Sequence, residues 1–186
     1  MNKRIYLCLA HMSGNEQKYI QEAFDTNWVV PLGPNVNGFE DDLKQFVGQD
    51  KQVVALSAGT AAVHLALIAC GVQAGNEVCV QSFTFCASSH PIKYLGATPV
   101  FIDSEKDSWN MDSALLEQAI LDRKAKTGKY PKAIIPVALY GMPYRIHKIL
   151  AIADKYGIPV IEDAAEGFGS RYNGQVLGTF GKYGVL

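Results

Sequence analysis

The sequence predicts an α/β fold in which helices cover a mostly parallel sheet. Short apolar runs bounded by turn residues recur along the chain from residue 53 onward, and helical stretches separate them. Strands that alternate with helices form parallel sheets with helices on both faces. A length of 186 residues and a hydrophobic content of 48% are enough for a sizeable core. We therefore expect an α/β/α sandwich.

The first part of the chain is predicted to contain two helices. Residues 15–27 carry apolar side chains at helical spacing, and residues 38–46 form a second helix that ends at Gly48. Residues 28–34 contain two prolines and a glycine, which favours a loop between the two helices.

The rest of the chain is predicted to alternate between strands and helices. Buried parallel strands are expected at residues 53–56, 78–80, 99–102, 134–137 and 159–161. Three helices are expected between these strands, at residues 60–70, 113–122 and 146–156. Asp112 can cap the second of these three helices, and Gly157 ends the third.

Charge and cysteine content exclude several classes of function. A net charge of −1 without basic runs argues against nucleic-acid binding. The short apolar run near the start is followed too soon by polar residues to be a signal peptide or a membrane span, so we expect a cytoplasmic protein. The cysteines lack CxxC spacing and are predicted to be buried, reduced thiols rather than metal ligands: Cys8, Cys70, Cys79 and Cys86.

A candidate phosphate site follows the first predicted strand. In α/β sheets, ligands bind beyond the carboxyl ends of the strands. Ser57, Ala58, Gly59 and Thr60 lead directly into a helix, where small residues and free N–H groups favour an anion. An ordinary capped turn fits this local pattern equally well. The sequence is neither GxGxxG nor GxxxxGK[ST], which argues against a dinucleotide or ATP site.

An aromatic side chain follows the second predicted strand. Phe85 is placed where it can stack on a flat heteroaromatic ring, although a phenylalanine at such a junction more often belongs to the core. His64 and His90 are interpreted as core histidines, because no metal-ligand spacing surrounds them.

Acidic residues follow the last predicted strand. Asp163 can pair with a cation such as a protonated pyridine nitrogen, and small residues after it leave room for a ring. Capping of the following turn, or binding to a ribose hydroxyl, is also consistent with its position. Glu166 either faces the same cleft or is solvated. Together, a phosphate cradle, an aromatic plate and this aspartate are what a pyridoxal phosphate site requires.

The chain resembles the DegT/DnrJ/EryC1/StrS sugar aminotransferases, which are fold-type I pyridoxal phosphate enzymes. The matching motifs cover nearly the whole chain: SAGTAA at 57–62, SFTFCA at 82–87, ATPVFID at 97–103, LYG at 139–141, VIEDAAE at 160–166 and LGTFG at 177–181. Residues 11–16, 27–33 and 163–166 look most like the branch that makes UDP-N-acetylbacillosamine by aminating a UDP-4-keto-6-deoxy sugar.

The resemblance implies a role for each matching position. It assigns the cofactor phosphate to Ala58, Gly59 and Thr60, the ring stacking to Phe85, and the pyridine nitrogen to Asp163. Glu166 is expected near the ring hydroxyl or the substrate. The residues that match the family's nucleotide-sugar loop are Asn27, Trp28, Val29 and Val30. The family also implies glutamate as the amino donor and a homodimer whose active site lies between two subunits.

Two departures from the family pattern stand out. Many members carry His and Asp where this chain has Ala138 and Arg145, and we expect these positions to adjust packing. The resemblance also places the aldimine lysine beyond Leu186, together with a small C-terminal domain, so we expect an incomplete large domain that is inactive alone. Lys182 is interpreted as a solvated loop cation. The alternatives are a lysine-less cofactor-binding protein or a family dehydratase, whereas the missing GxGxxG weighs against a nucleotide-sugar oxidoreductase.

Overall fold

The computed structural model describes residues 4, 6 and 9–186, and the chain divides into two compact units between Ala55 and Leu56. Each unit is described here by itself. No helix in the described part of the chain is both long and apolar enough to cross a membrane.

The first unit contains the two predicted helices, α1 (Glu16–Asp25) and α2 (Pro34–Val47). Pro34 starts α2 before the predicted residue 38, because its fixed φ and missing N–H suit the first helical turn. Gly48 ends α2 as predicted. Neither helix contains a buried residue.

The first predicted strand, residues 53–56, is wrong. Val54 is 69% exposed, and the N–H of Ala55 donates to Oε1 of Glu40 at 2.7 Å rather than to a neighbouring strand. A strand forms only where another strand takes up its hydrogen bonds, and no described residue pairs with this segment. Apolar composition alone therefore misled the prediction.

The second unit contains the alternating elements. Its helices are α3 (Gly59–Ala69), α4 (His90–Tyr94), α5 (Ser113–Thr127) and α6 (Ile146–Tyr156). Its strands are β1 (Glu77–Gln81), β2 (Thr98–Ile102), β3 (Ala133–Ile135), β4 (Ile161–Asp163), β5 (Arg171–Tyr172), β6 (Gln175–Val176) and β7 (Tyr183–Val185). Two 3₁₀ turns follow strands, at Cys86–Ser88 and Leu139–Gly141.

The strands run in the order β2-β1-β3-β4-β7. Parallel ladders join β1 to β2 and to β3, and another joins β4 to β7. Parallel bridges from Ile134 to Val160 and from Val137 to Asp163 connect β3 with β4. Only the β5–β6 hairpin and the bridge between Ser104 and Met111 are antiparallel among the described pairings. The predicted α/β fold with a mostly parallel sheet is therefore confirmed.

The sheet has a hydrophobic core on each face. Alternate residues of a strand point to opposite faces, so Val78 and Val80 pack with α3 and α4, whereas Cys79 packs with α5 and α6. On β4 the same alternation places Ile161 in the core beside α3. Asp163, two residues on, shares that face, and Glu162 points to the other.

The helix ends of the second unit follow the predicted signals. Oδ1 of Asp112 accepts the N–H groups of Ala114 and Leu115 at 2.7 and 3.1 Å, which caps α5. This helix runs past the predicted end to Thr127 and stops at Gly128, which has φ +74°. Gly157, with φ +64°, ends α6 as predicted.

The cysteine prediction is partly wrong. Cys70 and Cys79 are free and buried, and burial raises the pKa of the Cys79 thiol to about 12. Cys86 is exposed because it opens the 3₁₀ turn after β1 rather than lying in a strand or core helix. Cys8 lies outside the described residues.

A glycine contact fixes the segment before β7. A β-carbon at Gly184 would overlap the carbonyl oxygen of Gly178, so the two backbones touch directly. Glu162 holds the same segment from the sheet. Its fully buried carboxylate accepts N–H groups of Gly178 at 3.2 Å and Gly181 at 2.7 Å, and also that of Phe180.

Candidate functional site

The candidate site lies at the carboxyl edge of the sheet. Because the strands are parallel, β4 and β7 end side by side, with Asp163 in register with Val185. A β-carbon added to Gly59 would lie 3.9 Å from Cγ1 of Val185. The first turn of α3 is thus adjacent to the end of β7, and α3 packs against both strands.

The predicted phosphate cradle is the amino end of α3. Ala58 is extended, with φ −165° and ψ 154°, and the helix starts at Gly59. Among the described side chains none caps this end, which removes the ordinary capped turn as an explanation. The first N–H groups of a helix have no partner within it. Gly59 is exposed and Thr60 is half-buried, so the N–H groups of these two residues can bind an anion.

Asp163 is a buried carboxylate at the end of β4. It is 7% exposed, and its Oδ2 accepts the hydroxyl of Ser88 at 2.6 Å. Capping contributes little, because the N–H of Ala165 lies 3.4 Å from Oδ1. Burial raises the pKa of Asp163, and the Ser88 hydrogen bond opposes that rise.

No cationic side chain in the described part of the chain forms an ion pair with Asp163. Burying a carboxylate is costly unless a cation or several hydrogen bonds compensate for it. Among the described contacts, Asp163 accepts one short hydrogen bond, from Ser88, and one long one, from Ala165. A protonated pyridine nitrogen would supply the cation, while the uncapped end of α3 would receive a phosphate. These two groups therefore fit pyridoxal phosphate at its opposite ends.

Phe85 is exposed, not part of the core. Its side chain is 71% exposed, and its carbonyl accepts the N–H of Ser88 at 3.2 Å. The backbone of Phe85 is therefore hydrogen-bonded to that of the serine whose hydroxyl binds Asp163. The interpretation as a core phenylalanine is wrong, because residues 82–85 leave the sheet as a loop instead of entering a buried helix.

Glu166 lies on the loop after β4 and is exposed. One of its carboxylate oxygens accepts the backbone N–H of Tyr140, which ties this loop to the 3₁₀ turn after β3. Gly141 allows the close approach, because a β-carbon there would meet the carbonyl oxygen of Glu166 at 3.2 Å. The charge of Glu166 also raises the pKa of Asp163.

Two buried amides organise the same edge and were not foreseen from the sequence. Gln81 accepts the N–H of Met111 at 2.8 Å and donates to the carbonyl of Phe83 at 2.8 Å. Asn110 accepts the N–H of Leu139 at 3.1 Å. Gln81 also donates to Asn110 at 3.3 Å. Gln81 was missed because a polar residue at the end of a strand is usually solvated, and Asn110 was missed because it lies outside the helices and strands, where polar residues are usually exposed.

The predicted nucleotide-sugar residues belong to the first unit. Asn27 has φ +59°, and Trp28, Val29 and Val30 are largely exposed. The ring of Trp28 packs on Gly33, where a β-carbon would come within 2.8 Å of it. Their contact with substrate stays a prediction.

The positions that depart from the family pattern have structural roles. Ala138 is buried, and its N–H donates to the carbonyl of Asp163 at 3.0 Å. Arg145 forms ion pairs with Glu105 and Asp107. Packing therefore accounts for the first, and ion pairing for the second.

The two histidines are not core residues of one kind. His64 is half-buried, with its ring 5.7 Å from that of Tyr94. His90 is exposed, because it opens α4 rather than continuing an apolar helix, and the core prediction is wrong for it.

Comparisons with known proteins identify the family of the chain. The family model described as the DegT/DnrJ/EryC1/StrS aminotransferase family matches residues 10–186. "Putative pyridoxal phosphate-dependent aminotransferase EpsN" of Bacillus subtilis (strain 168) is 52% identical over 100% of this chain and 47% of its own length. GDP-perosamine synthase of Escherichia coli O157:H7 is 40% identical over 91% of this chain and 44% of its own. The chain thus spans about half the length of the curated relatives it matches.

Solved structures share the fold. A DegT DnrJ EryC1 StrS aminotransferase from Brucella abortus matches with a TM-score of 0.80 and 35% identity, over 92% of this chain and 48% of that one. Spr1654 from Streptococcus pneumoniae, in its PLP form, matches with a TM-score of 0.76 and 31% identity, over 89% and 44%. The cofactor prediction is confirmed at the level of the family. Because the family model covers nearly the whole chain, this protein belongs to the DegT/DnrJ/EryC1/StrS aminotransferase family.

Proposed function

We propose that this chain supplies the cofactor site of a pyridoxal phosphate-dependent nucleotide-sugar aminotransferase. In this proposal the N–H groups of Gly59 and Thr60, next to Ala58, bind the cofactor phosphate, Phe85 covers one face of its ring, and Asp163 pairs with its nitrogen. Glu166 stands near the ring hydroxyl or the substrate.

The observation that carries the proposal is the unpaired, buried carboxylate of Asp163. It lies at the end of β4, beside the end of β7 and the uncapped start of α3. A phosphate held at α3 and a cation held at Asp163 would be bound to neighbouring elements of one unit. Pyridoxal phosphate carries both groups on a single small ring.

The residues of this chain act by binding and by charge. When bound, the cofactor supplies an electron sink for the carbon that gains or loses the amino group. Asp163 would keep the ring nitrogen protonated, because a buried anion favours the charged form of a cation beside it. The end of α3 would hold the phosphate through N–H groups and the helix dipole.

We propose a UDP-linked 4-keto-6-deoxy sugar as the amino acceptor at C4 and glutamate as the donor. Relatives named for sugar nucleotides support the substrate class, among them UDP-2-acetamido-2-deoxy-3-oxo-D-glucuronate aminotransferase of Pseudomonas aeruginosa, 45% identical over 77% of this chain and 38% of its own length. Residues 11–16, 27–33 and 163–166 support the bacillosamine-type sugar. In this proposal Asn27, Trp28, Val29 and Val30 contact the nucleotide sugar, and two subunits share the site.

The lysine that this chemistry needs is proposed to lie beyond Leu186, with a second domain after it. Lys182 does not fit that role. It is exposed and precedes β7, whose opposite end is in register with Asp163. Its Nζ lies 5.7 Å from the centre of the Tyr183 ring. Lys182 therefore stands at the amino edge of the sheet, and the site is at the carboxyl edge.

Binding of pyridoxamine 5′-phosphate to the full chain tests the proposal, because this form carries the phosphate and the ring nitrogen but needs no lysine. We expect Asp163→Ala to weaken binding by roughly tenfold or more, since it removes a charged hydrogen bond. Glu166→Ala is the matched control and should lose much less. Equal losses would mean that Asp163 is not the ring partner, and absent binding by the unaltered chain would refute the site.

The reaction is tested on the complete product of the gene, supplied with glutamate and a UDP-4-keto-6-deoxy sugar. Mass spectrometry should detect a UDP-amino sugar. Loss of a hydroxyl without gain of nitrogen would indicate a dehydratase instead, and cofactor binding without any turnover would indicate a binding protein.

A further inference from the structure

A buried serine lies directly against the proposed ring partner. Ser88 is 1% exposed, and its hydroxyl lies 2.6 Å from Oδ2 of Asp163, although 75 positions separate the two in the chain. Among the described residues, the other carboxylate oxygen, Oδ1, has one long contact, to the N–H of Ala165 at 3.4 Å. Ser88 thus engages one oxygen and leaves the other available.

A second hydroxyl lies behind Ser88, and the carboxylate sets the direction of both hydrogen bonds. Oγ1 of Thr84 lies 2.9 Å from Oγ of Ser88. A serine hydroxyl has a single proton, and an ionised carboxylate can only accept. Ser88 therefore donates to Asp163, and Thr84 donates to Ser88. Hydrogen bonds in such a chain polarise one another, so Thr84 strengthens the hydrogen bond that Ser88 donates to Asp163.

We propose that Ser88 is a positioning residue that holds Asp163 ionised and oriented, so that the shared proton stays on the cofactor's ring nitrogen. The inference rests on the proposed function and extends it by a residue that does not touch the cofactor. Thr84 supports Ser88 as the second member of the chain.

The physical reason is a competition for one proton. Burial raises the pKa of Asp163 and would let this carboxylate take the proton from the ring nitrogen. A hydrogen bond donated to the ionised form lowers the pKa and makes Asp163 a weaker base. Without the Ser88 hydroxyl, the proton moves toward Asp163 and the ring loses positive charge.

Other titratable groups near β4 do not replace this hydroxyl. The elements packed against the strand carry His64 on α3 and Tyr183 on β7, and Cys86 opens the 3₁₀ turn that contains Ser88. β3 consists of Ala133–Ile135 and carries none. The negative charge of Glu166, on the following loop, raises the pKa of Asp163 and so acts against the hydroxyl.

The test measures the proton itself. The full chain is bound to pyridoxamine 5′-phosphate labelled with ¹⁵N in the ring, and the ¹⁵N chemical shift reports whether the nitrogen is protonated. We expect a pyridinium shift for the unaltered chain and a displacement toward neutral pyridine in Ser88→Ala. Affinity should also fall by roughly tenfold at mildly acidic pH. As the pH is lowered, Ser88→Ala should begin to lose affinity at a higher pH than the unaltered chain does, because Asp163 of the variant becomes protonated at a higher pH.

Three further variants separate this role from simple packing. Ser88→Thr keeps a hydroxyl and should restore the ¹⁵N shift. Thr84→Val removes the second donor at constant shape and should give a smaller displacement in the same direction. Ser89→Ala is the matched control, since the Ser89 hydroxyl lies 3.1 Å from the Cys86 carbonyl and does not reach Asp163. It should change nothing.

Each outcome decides the inference. Binding by every variant with an unchanged ¹⁵N shift would overturn the role of Ser88 and leave the cofactor site intact. Displacements of equal size in Ser88→Ala, Ser88→Thr and Ser89→Ala would reduce the effect to packing and also overturn it. No binding by the unaltered chain would overturn the proposed function and, with it, this inference. If Ser88→Ala does not fold, Thr84→Val decides instead: a displaced ¹⁵N shift in this variant supports the inference, and an unchanged shift overturns it.

Discussion

The two units of the chain use similar helices in different surroundings. In the first unit, Ile20 and Phe24 of α1 follow a helical apolar pattern, yet both side chains are about half exposed or more. In the second unit, Ile146 and Ile149 of α6 follow the same kind of pattern and are fully buried against the sheet. Periodicity therefore predicts a helix in both units, but burial depends on a partner surface that the pattern does not reveal.

The largest effect on stability is expected from truncating a buried side chain of α6. Ile149→Ala should lower the free energy of unfolding by about 2–5 kcal/mol, because it removes buried apolar surface and leaves a cavity in the core beside α6. Urea unfolding followed by circular dichroism measures the change. A loss below about 0.5 kcal/mol would show that the core around α6 is not packed as described.

A smaller but distinct loss is expected from the buried carboxylate of Glu162. Glu162→Gln keeps the shape but removes the charge and one of the two acceptor oxygens that bind the N–H groups of residues 178–181. Hydrogen bonds to a charged group contribute about 1.5–3 kcal/mol each, so a destabilisation of that order should follow. The same unfolding experiment measures it. Glu22→Gln, at an exposed position of α1, is the control and should have almost no effect.

A pH-dependent effect should distinguish Glu105 in the second unit. The hydroxyl of Ser108, two backbone N–H groups and Arg145 lower the pKa of Glu105 from 4.5 to about 2. Because the pKa is lower in the folded state, Glu105 stabilises the fold at pH values above its pKa in the unfolded state. This stabilisation is lost as the pH falls from about 4.5 toward 2. The stability difference between the unaltered chain and Glu105→Gln should therefore be present at pH 7 and shrink at pH 3.

Glu16 offers the matching carboxylate in the first unit. It accepts the N–H groups of Ser13 and Gly14 at 2.6 and 2.9 Å, and its pKa is also lowered. Glu16 is half-buried, but its two hydrogen bonds are exposed, so water screens these contacts and Glu16→Gln should show a weaker pH dependence than Glu105→Gln. An equal dependence at both positions would contradict the difference between the units.

The smallest effect is expected from Ile20→Ala in α1. This substitution makes the same chemical change as Ile149→Ala but at a half-exposed position, so the free energy of unfolding should change by less than about 0.5 kcal/mol. Parallel urea titrations of the two variants give the comparison directly. A loss at position 20 as large as at position 149 would reveal a packing partner for α1.

Signals that act within a few residues predicted the fold well. Asp112 and Gly157 mark helix ends through contacts with their immediate neighbours, and both were located from the sequence. The failed strand at residues 53–56 depended on a distant pairing partner that composition does not specify. The placement of Cys86 failed similarly, since a turn after β1 turns it outward.

The site was only partly visible for the same reason. Asp163 and Gly59 were predicted as site residues because strand-end acids and small residues at helix starts have local signatures, and their roles stay a prediction. Ser88 was not, because its significance comes from a hydrogen bond to a residue 75 positions away. The amides of Gln81 and Asn110 were missed likewise, since their hydrogen bonds join the end of β1, residue 110 and the 3₁₀ turn after β3, which are far apart in the chain.

The contact between Gly184 and Gly178 limits which sequences this fold can accept. A side chain at position 184 would have to occupy the volume of a peptide oxygen, and that oxygen belongs to a segment already bound by Glu162. In a library with random codons at positions 182–184, selection for folded protein should retain only glycine at position 184. The exposed position 182 should meanwhile retain many amino acids. The number of amino acids accepted at each position would then show how closely the main chain at that position approaches the segment that contains Gly178.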